Sequence, residues 1–177
     1  MMDFNLLEKK YKDELLENVV PFWLNHSQDG EFGGFYTCLD REGKVYDTDK
    51  FIWLQARQVW MFSMLYNKVE KRQEWLDSAV QGAEFLKKNG HDGNLNWYFS
   101  LTREGTPLVE PYNIFSYAFA TMAFGQLSLA TGNQEYADIA KQTFNIILSK
   151  KDNPKGKWNK ASPGARSLKG FSLPMIL

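Results

Sequence analysis

Tyr46–Asn67, YDTDKFIWLQARQVWMFSMLYN, is the stretch whose reading decides the fold. It opens with Asp47, Thr48 and Asp49, each able to cap a helix by accepting from its first free backbone N–H groups. No Pro or Gly interrupts the residues that follow for a full helix length. Phe51, Ile52, Trp53, Leu54, Val59, Trp60, Met61, Phe62, Met64 and Leu65 place apolar side chains on nearly every face. A helix apolar all round is a buried one, either a membrane span or the inner layer of a large helical domain. Yet Lys50, Gln55, Arg57 and Gln58 lie within the same stretch, and a guanidinium is almost never buried without a partner. Lys50, Trp53 and Arg57, at i, i+3 and i+7, share one helical stripe. An aromatic stripe carrying positive charge predicts a polar cavity beside this helix.

Outward from this stretch the pattern alternates. Phe4, Leu7, Tyr11, Leu15, Val19 and Phe22 recur at helical spacing and predict a first helix from about Asp3 to His26, kinked or split at Pro21. Residues Phe35 to Tyr46 change period around Asp40-Arg41-Glu42-Gly43 and predict a short β-hairpin. After the central helix come an amphipathic helix from about Gln73 to Asn89, stopped by Gly90, and a second extended piece, NWYFSLTREGTPLV. A fourth helix, Asn113 to Thr131, is again apolar nearly all round and ends at Gly132, and a fifth runs from about Gln134 to Lys151. A Pro/Gly/Lys-rich loop over Asp152–Lys169 precedes the closing SLPMIL.

These pieces repeat. Tyr36, Leu39, Arg41, Glu42 and Gly43 match Tyr98, Leu101, Arg103, Glu104 and Gly105 at an offset of 62 (98 − 36), which also sets Ile52 on Ile114 and Trp53 on Phe115. Each unit is an amphipathic helix, a hairpin with an R-E-G turn, and an apolar helix. Such units bury their faces only by stacking on copies of themselves. The expected architecture is all-α, a two-layer helical ring with amphipathic helices outside and apolar helices inside. The 177 residues hold about 2.9 units of 62, and Pro174 suits the first turn of a third inner helix. The expectation is a partial barrel over residues 1–177, cut at the start of its sixth helix.

The 21 basic and 21 acidic residues give a net charge of zero and no electrostatic footprint for nucleic acid or an anionic membrane. An aromatic content of 15% suits a core built around a sugar- or ring-binding pocket, although a large core alone also explains it. The single Cys38 fits a reducing compartment. The acidic, amphipathic start is unlike a signal peptide, and no apolar run reaches the roughly 18 residues of a membrane span. A cytoplasmic protein is expected.

Arg57 carries two readings: an ion-paired staple between helices, or a fork of donors for a substrate carbonyl or hydroxyls. Trp53, one turn earlier, either packs the core or stacks on a sugar face. Lys50 is read as snorkelling to the cavity mouth. His26 and His91 lie at helix ends and read as capping or surface histidines. Asp40, Asp47 and Asp49 sit where turns and caps favour Asp, which outweighs a glycosidase carboxylate pair. Metal-ligand spacing, a Gly-rich phosphate loop and G-x-S-x-G are all absent.

FWLNHS, GGFYTCLDREGKVYDTDKFIWLQARQVWMF, NIFSYAFATMAF, LATGN and SLPMIL, in this order, closely resemble the N-acylglucosamine 2-epimerase family from about Phe22 onward. The resemblance implies the N-terminal half of an (α/α)6 barrel with short β-hairpins between helices. It implies interconversion of N-acetylglucosamine and N-acetylmannosamine by C2 proton transfer through an enolate. Arg57 matches the arginine placed to stabilise that charge; Trp53, Lys50, Phe115 and Ser116 are the expected substrate-binding residues. Tyr117 departs from the smaller or acidic residue expected there. The two catalytic histidines of the family have no counterpart in this stretch, so the fragment alone is expected to be inactive. No cofactor or metal is implied; adenine nucleotides act on some members, and the full-length form is expected to be a homodimer. The alternatives are a mannose or cellobiose 2-epimerase, an aldose–ketose isomerase of the same superfamily, a non-catalytic half-barrel that binds sugar or a partner, and a glycosidase on a related barrel.

Overall fold

The polypeptide is described here from a computed structural model, which covers residues 3–111, 114–150 and 175–176. The first helix is split as Pro21 requires. α1 (Phe4–Asp13) and α2 (Val20–His26) are joined by a π-helical turn, Glu14–Val19, in which the Val20 amide donates to Leu15 O. Pro21 has no N–H to give an α-helical bond, and the wider turn absorbs the loss one residue earlier. Asp3 caps α1 by accepting from the amides of Asn5 and Leu6 at 3.0 and 3.3 Å.

Two hairpins follow at the predicted offset. β1 (Cys38–Leu39) pairs with β2 (Val45–Asp47), and β4 (Ser100–Leu101) pairs with β5 (Pro107–Val109). Their registers, Cys38 with Asp47 and Leu39 with Val45, recur as Ser100 with Val109 and Leu101 with Pro107. Each partner lies 62 residues on from its counterpart, and the irregularity in the ladder falls at the same step in both. The turns are built alike. Asp40 Oδ1 accepts from the Lys44 amide at 2.8 Å, and Thr102 Oγ1 accepts from the Thr106 amide at 3.2 Å. Gly43 and Gly105 take φ of +84° and +100°, which a side chain rarely adopts. A Cβ at either would also strike the end of the preceding helix, at His26 or Asn89.

Between the hairpins stands a short strand, β3 (Lys50–Phe51), before α3 (Ile52–Lys68). β3 pairs with β4, Lys50 opposite Leu101, so the strand of the first unit completes a three-stranded sheet with the hairpin of the second. The capping expected of Asp47, Thr48 or Asp49 is therefore absent. The N-cap is Phe51 without a side-chain bond, and the Ile52 amide donates to Phe99 O at 3.0 Å instead. Asp47 Oδ1 accepts from the Asp49 amide within the turn.

The remaining helices are α4 (Gln73–Asn89), α5 (Phe115–Thr131) and α6 (Gln134–Ser149). α3 and α5 lie side by side, with α4 packed on α3 and α6 on α5. Asn133 caps α6 by accepting from the Glu135 amide, and Gly132 ends α5 in the left-handed region. The core lies between the two layers: Ile52, Ala56, Val59 and Phe62 from α3 meet Trp75, Ala79, Ala83 and Leu86 from α4, with Phe124 and Leu127 of α5 beside them. The loop 152–169 expected from the sequence lies outside the described residues.

Small residues set the spacing of the layers. A Cβ on Gly82 of α4 would overlap the Phe35 ring and come within 2.8 Å of Val59 Cγ2. In an exposed helix Gly→Ala gains about 1 kcal/mol. Here overpacking reverses the sign, and Gly82→Ala is expected to cost about 1–3 kcal/mol in thermal melts. A raised Tm would show that the interface has slack.

Candidate functional site

The polar residues of α3 divide by what they touch. Gln55 is fully buried and clasps the Phe35 backbone, its Oε1 accepting from Phe35 N at 2.8 Å and its Nε2 donating to Phe35 O at 2.6 Å. Gln58 Oε1 accepts from Ser27 Oγ at 3.0 Å, and Ser63 donates to Val59 O. Arg57 is different. It is exposed and has neither an ion pair nor a hydrogen bond among the described residues. Its guanidinium carbon lies 5.6 Å from the Trp53 ring centroid and 5.3 Å from that of Phe119.

Trp53 and Phe119 belong to neighbouring helices, with ring centroids 6.1 Å apart. Together they build an aromatic wall across the seam between α3 and α5, on the face turned away from α4 and α6. This is the face that an all-apolar reading of α3 would bury; Trp53, Trp60 and Met64 are only half-buried there. Two grooves lie along α3, and Arg57 lines the second of them. One, of about 460 Å³, is lined by Trp53, Phe99, Phe115, Phe119 and the helical pair Met175–Ile176. Its size and aromatic lining suit a small organic ligand. The other, of about 280 Å³, lies on the opposite flank of α3, among Trp23, Thr37, Leu54, Arg57, Trp60 and Met61.

The structure sets Trp53 against the Arg57 guanidinium and in one groove with Phe115, and removes two expected residues from the group. Lys50 is not on the α3 stripe, since it belongs to β3. Its side chain is fully buried, and its ammonium donates to Asp29 Oδ2 at 2.9 Å, Gly33 O at 2.6 Å and Arg103 O at 2.8 Å. All three donors are spent, so Lys50 is a structural cation and not a residue of the cavity mouth. Ser116 is also buried and lines neither groove. Successive helical residues point about 100° apart, so Phe115 and Ser116 cannot both face one wall.

Two features escaped the sequence reading. Phe119 is the repeat counterpart of Arg57, 62 residues on, and that offset was the signal that could have found it. Asp29 is the second. Fully buried, it accepts from Lys50, from the Glu31 and Phe32 amides at 3.1 and 3.2 Å, and from Arg103 through Nε and Nη2 at 3.0 and 3.1 Å. Burial alone would raise the Asp29 carboxyl, but the hydrogen bonds from Arg103, Lys50 and the Phe32 amide outweigh it and hold the group well below the usual carboxylate range. Burial pulls the Lys50 ammonium down against the upward pull of Asp29.

The histidines stand apart from the wall. His26 packs on the Phe22 ring at the end of α2. His91 accepts from the Gly93 amide through Nδ1, lies edge-on to Trp97, and has its pKa lowered by burial. Asp40 and Asp47 accept backbone amides in their turns, as a structural role predicts.

Stacked helical hairpins in two layers, with an aromatic face on α3 and α5, define a portion of an α/α barrel. The chain belongs to the N-acylglucosamine 2-epimerase (GlcNAc 2-epimerase) family, whose model matches residues 34–172. It is 40% identical over 177 residues to the N-acylglucosamine 2-epimerase of Bos taurus, a match covering 96% of this chain and 42% of that protein. A cellobiose 2-epimerase of Ruminococcus albus is 31% identical over 146 residues, covering 80% of this chain and 36% of that one. The solved cellobiose 2-epimerase of Bacillus thermoamylovorans superposes with a TM-score of 0.77 at 26% identity, over 89% of this chain and 43% of the other. These neighbours are (α/α)6 barrels, and the present chain is about half of one. It spans roughly two fifths of the length of the curated relatives it matches. Among the described residues no helix is long and apolar enough to cross a membrane.

Proposed function

We propose that residues 1–177 supply one side of the active-site wall of a sugar 2-epimerase that interconverts N-acetylglucosamine and N-acetylmannosamine. Kinship supports the reaction class, and 40% identity to an N-acylglucosamine 2-epimerase favours the amino sugar over cellobiose, for which the identity is 31%. The observation that carries the reading is Arg57: a guanidinium with no protein partner among the described residues, held on an aromatic wall beside a groove of ligand size.

The chemistry follows from that placement. Removing the C2 proton of an open-chain aldose puts negative charge on the C1 carbonyl oxygen, and reprotonation from the other face inverts C2. The proton carriers come from outside residues 1–177, because His26 and His91 are engaged elsewhere and line neither groove. The part of Arg57 is electrostatic. A fork of N–H donors seated against two aromatic rings would stabilise the enolate oxygen more than the neutral carbonyl. Trp53, Phe115 and Phe119 offer flat apolar faces to the carbon skeleton. In this reading the chain is a partial barrel whose sixth ring helix begins around Met175.

The test is exchange of the C2 proton of N-acetylmannosamine into D₂O, followed by NMR, in the longer protein that carries this sequence, with mannose and cellobiose in parallel. Exchange with formation of N-acetylglucosamine is expected, and residues 1–177 alone should give none. Preferred turnover of cellobiose would move the assignment to the other branch of the family. Glycosidic cleavage without exchange would overturn it.

A further inference from the structure

The two grooves along α3 differ in what they offer a ligand. The larger is lined by aromatic and aliphatic side chains alone. The smaller, of about 280 Å³, has apolar sides from Trp23, Leu54, Trp60 and Met61, and its polar residues are Thr37, Arg57 and Gln58. Arg57 lines this groove and not the other. Gln58 Oε1 already accepts from Ser27 Oγ at 3.0 Å. Thr37 Oγ1 is buried and bonds to nothing among the described residues. A buried hydroxyl left unpaired costs stability, and on the wall of a groove it has the position of a group kept for a ligand.

The proposed reaction fixes which part of the sugar comes here. The carbon that loses its proton, C2, is bonded to the C1 carbonyl assigned above to Arg57, so the group carried on C2 sits beside the same guanidinium. In an N-acyl amino sugar that group is an amide with an apolar tail. Its N–H only donates and cannot pair with a guanidinium, which has no acceptor. It needs an acceptor, and the Thr37 hydroxyl is one. Its methyl needs an apolar seat, which the indole and thioether sides of the groove supply. The side chains of the larger groove offer only the second.

We infer that the 280 Å³ groove is the subsite for the acylamino group on C2, and that Thr37 recognises its N–H. The inference rests on the epimerase reading above and adds to it the groove and the residue that favour amino sugars. The sugar then lies across α3, its carbon chain on the Trp53–Phe119 wall, its C1 oxygen at Arg57 and its acyl group towards Trp23 and Trp60. A sugar with a bare 2-hydroxyl gains less. It leaves the apolar sides uncovered, and its hydroxyl is free to turn towards water. The amide N–H is held in plane by conjugation, so it has Thr37 or nothing.

The test compares N-acetylmannosamine with mannose in the longer protein, by calorimetric affinity and by C2 proton exchange into D₂O. The N-acetyl sugar is expected to bind at least about tenfold more tightly. Thr37→Val removes the hydroxyl and keeps the shape. It should lower the ratio between the two sugars about tenfold, in Kd and in kcat/KM alike. Its Tm should hold or rise, because an unpaired hydroxyl has left the interior. Thr37→Ser keeps the acceptor and should keep the ratio within about threefold of the parent. Equal affinity of the unaltered protein for the two sugars overturns the inference, and so does an unchanged ratio in Thr37→Val. A Thr37→Val protein that melts several degrees lower, or does not fold, would show a protein partner for the hydroxyl and overturns it too. The two proposals fail separately. Tighter binding of the N-acetyl sugar, lost in Thr37→Val, without any exchange sinks only the proposed activity; exchange with an unchanged ratio sinks only the subsite.

Discussion

Replacing Arg57 with alanine in the longer enzyme is expected to lower kcat by about 10²–10³ and to leave KM within a few-fold. On the proposed reading, the guanidinium meets little charge in the ground state, where the substrate carries a neutral carbonyl, and would meet a nearly full negative charge when the C2 proton departs. A donor aimed at the second condition is lost from the rate and not from affinity. Arg57→Lys should not restore the rate, because an ammonium keeps the charge but loses the planar fork and its stacking between Trp53 and Phe119. Stability is the control. Arg57 is exposed and pairs with no carboxylate among the described residues, so the melting temperature of Arg57→Ala should barely move. Unchanged kcat with only a raised KM would make Arg57 a simple binder, and the placement of the enolate would have to be redrawn.

The second large effect is on folding. Asp29→Ala leaves the Lys50 ammonium fully buried with two carbonyl acceptors and without its paired carboxylate, and it leaves the Arg103 fork with Glu31 alone. Removing one partner of a buried pair costs about 3–5 kcal/mol. For a chain of this size that is on the order of 6–20 °C in Tm. A double change, Asp29→Asn with Lys50→Met, removes both charges and should recover part of the loss. The pH dependence has a definite sign. The carboxyl of Asp29 is held below its unfolded value, so its contribution is complete above about pH 4 and is lost as pH falls through the folded pKa. Thermal melts from pH 7 to pH 2 should show Asp29→Asn losing this acid sensitivity. An Asp29→Ala protein melting within a degree or two of the parent would refute the role given to the cluster.

How far the fold was legible can be judged from particular residues. The helices over 52–68, 73–89, 115–131 and 134–149 follow from apolar spacing and Gly stops, which are local signals. The 62-residue offset was legible because Tyr36, Arg41 and Gly43 reappear unchanged, and both ladders keep it residue for residue. Lys50 was misplaced for a non-local reason. Its two-residue strand exists only because Ser100 and Leu101, fifty residues on, offer it an edge. Asp29 was overlooked because an Asp before a Gly has the signature of a turn, and nothing nearby announces a partner 74 residues away. The contact between Arg57 and Trp53 was legible in their i, i+4 spacing. Phe119 was missed because an aromatic residue on an apolar helix has no local mark of function, although the repeat places it opposite Arg57.

The three-stranded sheet bears on how the molecule comes apart. In many repeat arrays each unit owns its secondary structure, so units fray one at a time and stability approaches a sum of nearest-neighbour contributions. Here β3 belongs to unit one by sequence and to the sheet of unit two by hydrogen bonding, while the Asp29–Arg103 pair ties the same two units 74 residues apart. Neither unit can open without disrupting the other. Units one and two should therefore unfold as one cooperative block, with calorimetric and van't Hoff enthalpies that agree. The end of such an array has no cheap first step for fraying to begin from. That rigidity is what the proposed role of Arg57 would need of the wall that carries it.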